Sequence, residues 1–335
     1  MDSPSTLPPL LEEGRLPVSG GHELHYQVSG THDGVPALYL HGGPGGRLTS
    51  GYRRKVPGET TRLVGFSQRG AGASTPSASE PAGLEHNTTA ELVEDIEALR
   101  MHLGIEDWVV QGVSWGASLA VAYAQAHPER VRAVVLMAVT ATTRTEVDWI
   151  TEHVGAIFPE TWQELAALAE ARTDYRPGGE MRLVEAYRRM LTSGDRDLED
   201  AATHAWIAWE DEHIRIGTGG FARVTADPGA PVEDQARVFA RLVTHYWARD
   251  GFLADWATAW GGEPGSGLLG GMHRIGHIPA VLIHGRRDVS GPVRIAWQMH
   301  RAWPASELIV VEDEGHGGEA MVEAWAQAMA RFTAR

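Results

Sequence analysis

Apolar positions along the chain change their spacing several times, and each change predicts an element. Glu23–Ser29, Ala37–His41 and Thr61–Phe66 are short apolar runs bounded by turn residues, and they read as strands. Gly30-Thr31-His32-Asp33-Gly34 supplies the turn between the first two. At Thr88 the period becomes helical, with Leu92, Ile96, Leu99 and Leu103 on one face. Thr88 with Glu91 three positions on is a capping-box pattern, and Gly104 closes the helix. Trp108-Val109-Val110 is again strand-like, Ala117 to Ala124 is helical, and Val131–Met137 is a buried strand. Strands alternating with helices predict a mostly parallel sheet with helices on both faces. Residues 1–20 lack either period and are expected to be a loose lead-in.

From about Thr143 to Gly262 the strand-like runs vanish. Tryptophans and charges at helical spacing, such as Trp206, Trp209, Glu210 and Glu212, predict a helical insertion. The α/β pattern then resumes, with strands at Ala280–His284 and Leu308–Val311 and a final amphipathic helix over Met321–Phe332. The expected division is a core of residues 1–142 and 263–335 and a cap of residues 143–262. A cap inserted between strands lies over the strand ends, where α/β sheets bind ligands.

Composition narrows the function classes. The chain has 335 residues, 43% hydrophobic and 22% charged, which is ordinary for a soluble globular protein. A net charge of −15 without a Lys/Arg cluster argues against nucleic acid and against an anionic membrane surface as partners. The absence of cysteine excludes disulfides, thiolate catalysis and Cys-based metal sites. The 16 histidines are scattered and no H-E-x-x-H is present, so neither a metal nor another cofactor is expected. The first residues hold no basic segment followed by an apolar one, and no apolar run reaches membrane-spanning length, so the expected location is cytoplasmic.

Gly112-Val113-Ser114-Trp115-Gly116 lies between a strand pattern and a helix pattern. G-x-S-x-G in that context is the nucleophile elbow of the α/β-hydrolase fold, which holds a serine hydroxyl at the end of a buried strand. A serine nucleophile needs a base and an orienting acid, and in this fold they follow in the order Ser, Asp or Glu, His. Asp288 directly follows the strand pattern AVLIH within His284-Gly285-Arg286-Arg287-Asp288, and His316 follows LIVV. Order and context together nominate Ser114, Asp288 and His316 as nucleophile, acid and base. An oxyanion needs backbone donors, and Gly43 in His41-Gly42-Gly43-Pro44-Gly45-Gly46, with Trp115 after the nucleophile, is placed to supply them. That glycine-rich loop lacks the Lys-Ser/Thr or G-x-G-x-x-G pattern of a phosphate cradle.

More segments join these. They are Ser67-Gln68-Arg69-Gly70-Ala71-Gly72-Ala73-Ser74, Asn87-Thr88-Thr89, the elbow through His127-Pro128-Glu129-Arg130-Val131, Phe158-Pro159 with Trp162, and Ala205-Trp206-Ile207-Ala208-Trp209-Glu210. With HGGPGG at 41–46 and HGRRD at 284–288, they make the chain resemble the proline iminopeptidase (prolyl aminopeptidase) family of α/β-hydrolases from about Gly21 to Phe332. The family pattern has Asp where this chain has Ser67.

The resemblance implies an enzyme that removes one N-terminal residue, typically proline, from a small-molecule or short-peptide substrate with a free amine. It implies that Glu210 grips that amine. The family's second amine-binding glutamate falls in R-x-E-x-H-Y-F, which here is Arg241 to Trp247 with Val243 at the glutamate position. Trp247 keeps an aromatic there, while Thr140 and Thr151 stand where the family has ring-holding aromatic residues. These departures imply a relaxed preference for proline, with alanine or another small residue admitted. They are also in keeping with relatives in polyketide macrolactam pathways that remove a protecting aminoacyl group from an intermediate. Two alternatives stand beside this reading: an esterase or amidase for substrates without a free amine, and a non-catalytic binding protein of the same fold.

Overall fold

The structure, a computed structural model, describes residues 7–218 and 232–334. Its centre is one eight-stranded sheet of order β1-β2-β4-β3-β5-β6-β7-β8. The strands are β1 (Leu10–Pro17), β2 (Glu23–Gly30), β3 (Val35–Leu40), β4 (Thr61–Phe66), β5 (Trp108–Val113), β6 (Val131–Met137), β7 (Ala280–Gly285) and β8 (Ser306–Val311). β2 pairs antiparallel with β1 and β4, and every other pairing is parallel.

β1 corrects the expectation of a loose lead-in. Its residues are exposed or half-buried, so an edge strand of this kind leaves little hydrophobic pattern in the sequence. The Tyr26 ring lies over Gly14, where an added Cβ would meet its hydroxyl at 2.5 Å. That hydroxyl donates to Glu12 at 2.6 Å.

The central strands are apolar on both faces because both are covered. Val110, Leu38 and Leu136 pack with Leu92, Ile96 and Leu99 of α1 (Thr89–His102) and with Leu119 of α2 (Trp115–Ala126). Val109, Val135 and Val281 point the other way, into a core with the C-terminal helix. In α1 the cap is half of the expected box: Thr88 accepts the Glu91 N–H at 3.3 Å. The Glu91 carboxylate instead receives Ser19 at 2.6 Å and faces Arg69 at 3.3 Å. Gly104 ends α1 with φ +63°, a left-handed conformation that glycine adopts freely.

Between β6 and β7 the described residues hold helices and no strand: α3 (Arg144–Asp148), α4 (Pro159–Arg172), α5 (Leu183–Leu191), α6 (Arg196–Ile214), α7 (Asp234–Trp247) and α8 (Gly267–Gly270). Trp206 of α6 anchors this layer, with ring centroids 5.2 Å from Tyr187 and 6.0 Å from Trp247. α9 (Arg294–Ala302) and α10 (Glu319–Phe332) complete the chain, with Trp325 and Met329 of α10 under the sheet. Among the described residues no helix is long and apolar enough to cross a membrane.

Candidate active site

Ser114 sits where β5 turns sharply into α2, with φ 56° and ψ −124°. A non-glycine residue in this region costs on the order of 1–3 kcal/mol and persists only where its surroundings hold it. Here the Ser114 N–H donates to the Met137 carbonyl at 2.9 Å. Its own carbonyl accepts from Ala117 N–H at 2.7 Å and from the Thr140 hydroxyl at 2.9 Å. The flanking glycines have steric causes. A Cβ on Gly112 would lie 2.0 Å from the Gly116 carbonyl oxygen, and one on Gly116 would lie 2.2 Å from that of Leu40.

The loops after β7 and β8 bring Asp288 and His316 to this serine. His316 Nε2 lies 3.0 Å from Ser114 Oγ, and its Nδ1 lies 2.8 Å from Asp288 Oδ2. Asp288 is buried, and its Oδ1 accepts the Gly291 N–H at 2.9 Å. Burial pushes the Asp288 carboxyl up, but His316, His284 and the Gly291 N–H together outweigh it and hold the group below the usual carboxylate range. The two loops touch backbone to backbone: a Cβ on Gly285 would meet the Gly315 carbonyl oxygen at 2.1 Å. This is the geometry in which an imidazole takes a serine proton while a carboxylate fixes its tautomer.

The 41–46 loop follows β3 and passes close to the elbow. A Cβ on Gly42 would stand 3.2 Å from Ser114 Cβ, and Gly43 has φ +123°. The Trp115 N–H belongs to the first turn of α2, whose donors have no intrahelical partners. Buried His41 braces the loop. Its Nδ1 lies 2.9 Å from the Gly42 carbonyl and its Nε2 accepts the Gln68 N–H at 3.1 Å, which assigns the proton to Nδ1. Burial lowers its pKa to about 4, so the ring is neutral at pH 7. Gln68 then ties loop to helix: its amide donates to the His41 carbonyl at 2.9 Å and its carbonyl receives the Trp115 indole N–H at 2.9 Å.

A cavity of about 540 Å³ opens over these groups. Ser114, His316, Gly43, Trp115 and Thr140 line its sheet side, and Ile207, Glu210, Asp211 and His213 of α6 with Phe239 and Trp247 of α7 line the opposite wall. Glu210 is only 3% exposed.

Two residues nominated from the sequence do not line this cavity. Thr151 is fully buried and donates to the Val147 carbonyl at 2.9 Å, and its neighbour Ile150 lines the wall instead. Thr151 lies inside a π-helical turn over Trp149–His153. Val243 is also fully buried. It shares one stripe of α7 with Phe239 and Trp247, at spacings of four, yet those two line the cavity and it does not.

Asp211, His213 and Ser290 were not nominated from the sequence. His213 lies one helical turn beyond Glu210, a spacing that offered a signal. Its Nε2 is 3.7 Å from Glu210 Oε2, and its Nδ1 is 2.6 Å from Ser290 Oγ. Burial, with His316 nearby, lowers the His213 pKa to about 3 and holds the ring neutral.

Known proteins share this architecture. The alpha/beta hydrolase fold family matches residues 36–318. A probable proline iminopeptidase of Streptomyces coelicolor is 40% identical over 319 residues, 93% of this chain and 94% of that protein. The proline iminopeptidase of Arabidopsis thaliana is 40% identical over 308 residues, 90% of this chain and 74% of that protein. Among solved structures, a loop variant of a haloalkane dehalogenase from Bradyrhizobium elkanii superposes with a TM-score of 0.59 at 19% identity. It covers 96% of this chain and 97% of its own, a likeness of fold alone.

Proposed function

This chain belongs to the proline iminopeptidase family of α/β-hydrolases, a family of serine hydrolases, and from that premise we propose that it removes a single N-terminal aminoacyl residue through an acyl-enzyme on Ser114. The observation that carries the reading is the Ser114–His316–Asp288 hydrogen-bonded chain at the floor of a cavity whose facing wall bears the buried Glu210. Residues 143–262, of which 219–231 lie outside the described residues, are the expected cap, and its described helices α6 and α7 supply this wall.

Ser114 Oγ attacks the carbonyl carbon of the aminoacyl group while His316 Nε2 takes its proton. Asp288 stabilises the imidazolium that forms. The N–H groups of Gly43 and Trp115 receive the oxyanion. Collapse breaks the C–N bond, and His316 returns the proton to the leaving amine. A water molecule, deprotonated by His316, then cleaves the acyl-enzyme ester and frees Ser114.

Glu210 accepts the charged α-amine of the substrate. A charge-assisted pair in a buried site discriminates against substrates whose amine is blocked. Val243 supplies no second carboxylate, and neither Thr140 nor the buried Thr151 offers an aromatic face to a proline ring. The acyl group is therefore proline or another small residue such as alanine. A cavity of this volume accommodates a leaving group on a short peptide or on an aminoacylated natural-product intermediate.

The test is a panel of aminoacyl arylamides carrying proline, alanine and glycine, each with an N-acetylated control. Hydrolysis of free-amine substrates, with proline favoured over alanine by less than about a thousandfold, is expected from a pocket that discriminates mainly by shape. Equal turnover of the N-acetylated controls would instead identify an amidase or esterase indifferent to the amine.

A further inference from the structure

The loop that carries Asp288 is held from two sides, and each of the three residues after Asp288 is held by a different element. From the sheet, His284 of β7 accepts the Val139 N–H on Nδ1 at 3.0 Å, so its proton resides on Nε2. That Nε2–H donates to the Gly291 carbonyl at 2.6 Å, while the Gly291 N–H holds Asp288 Oδ1. From the helical layer, the Trp149 indole N–H donates to the Val289 carbonyl at 2.8 Å. His213 of α6 meets the Ser290 hydroxyl at 2.6 Å, with both residues buried.

The tautomer of His213 follows from its surroundings. The ring is neutral, so one nitrogen carries the proton. The Glu210 carboxylate lies on the Nε2 side at 3.7 Å, which favours the proton there. Nδ1 is then the acceptor, and the Ser290 hydroxyl donates to it. One buried imidazole thus spans from the wall that bears Glu210 to the loop that bears Asp288.

We infer that His213 is a positioning residue for acyl transfer: by accepting the Ser290 hydroxyl it seats the Asp288 loop, so that the triad is complete only when α6 is docked over it. Trp149 is the second clamp from the same layer. The inference rests on the Ser114–His316–Asp288 reading and is independent of whether Glu210 grips an amine. It assigns the helical layer a part in the chemical step as well as in enclosing substrate.

The test uses p-nitrophenyl acetate, which has no amine, and the rate of Ser114 labelling by a fluorophosphonate. His213→Leu keeps the bulk and removes both ring nitrogens. His213→Asn returns a carbonyl oxygen near the position of Nδ1. Ser290→Ala removes the donor. His213→Leu and Ser290→Ala are each expected to lower kcat and the labelling rate about five- to tenfold, the worth of one buried neutral hydrogen bond, with KM within about twofold. The double variant loses no more than either single one, because both remove the same contact. His213→Asn recovers most of the loss.

Among the described residues, the titratable groups that act electrostatically with His316 include Asp288, His284 and His213. A displaced Asp288 stabilises the imidazolium less, so the acid limb of the kcat/KM profile moves to lower pH in Ser290→Ala. A loss of folded fraction alone would leave that limb in place. Should His213→Leu not fold, His213→Phe, which also removes both ring nitrogens, takes its place beside Ser290→Ala. Additive losses, or unchanged kcat and acid limb in folded variants, overturn the inference. Ser114→Ala separates the two readings: labelling that survives in it overturns the triad itself, whereas labelling lost there but unaffected in His213→Leu overturns only the role of His213.

Discussion

Replacing Glu210 by glutamine keeps the side chain's size and removes its charge. The carboxylate is 3% exposed, so solvent screens its interactions little and the packing of α6 against the cavity is retained. A hydrogen bond between charged groups in such a site contributes about 1.5–3 kcal/mol more than its absence. At 1.36 kcal/mol per decade, this amounts to roughly 10- to 150-fold in kcat/KM for a substrate whose α-amine is charged. The loss extends beyond KM to the extent that the amine contact aligns the carbonyl with Ser114. A simple aryl ester has no amine to lose, so its hydrolysis should change by less than about threefold. The assay is kcat/KM for alanyl and prolyl arylamides against p-nitrophenyl acetate, measured on wild type and Glu210→Gln at one pH. Equal losses on all three substrates would mean that Glu210 supports the fold or the triad and does not bind the amine. Unchanged values on all three would remove it from the site.

The remaining expectations concern the triad, the elbow and the buried histidines. Ser114→Ala should leave a folded protein with kcat reduced by several orders of magnitude, and adding His316→Ala or Asp288→Asn should cost little more, since the three act as a unit; near-wild-type turnover in purified Ser114→Ala would falsify the assignment. Gly116→Ala places a methyl 2.2 Å from the Leu40 carbonyl oxygen, so a loss of about 3 kcal/mol or more is expected in chemical denaturation. Gly104→Asn, in a left-handed position with open space around its Cβ, should stay within about 1 kcal/mol of wild type, and equal stability of the two variants would refute the steric account. Burial lowers the pKa values of His41 and His245 to about 4 and of His213 to about 3. The unfolded chain therefore takes up protons near pH 6.5 that the folded chain refuses, and stability falls as pH drops from 6.5 toward 4, by up to about 2 kcal/mol per fully buried ring at pH 5. Melting temperature followed from pH 7.5 to 5 checks this, and a flat profile would contradict it.

Steric and periodic constraints that act locally were legible in the chain. The elbow could be read because Gly112 and Gly116 face backbone oxygens of close neighbours, and only glycine fits both places. The core strands could be read because a sheet covered on both faces demands unbroken apolar runs. The order Ser114, Asp288, His316 could be read because each residue ends or follows such a run, although the hydrogen bonds themselves join positions 202 and 28 residues apart. β1 escaped notice because an exposed edge strand buries too little to leave a pattern. Thr151 shows the opposite failure, since matching positions along the sequence does not say which of two adjacent helical residues faces the cavity, and here it is Ile150. His213 and Ser290, 77 positions apart, meet only because α6 crosses above the loop that follows β7. A sequence records which side chains are buried and where the backbone must bend. Which buried polar groups share a cavity depends on how separately formed layers dock, and that is decided by long-range packing.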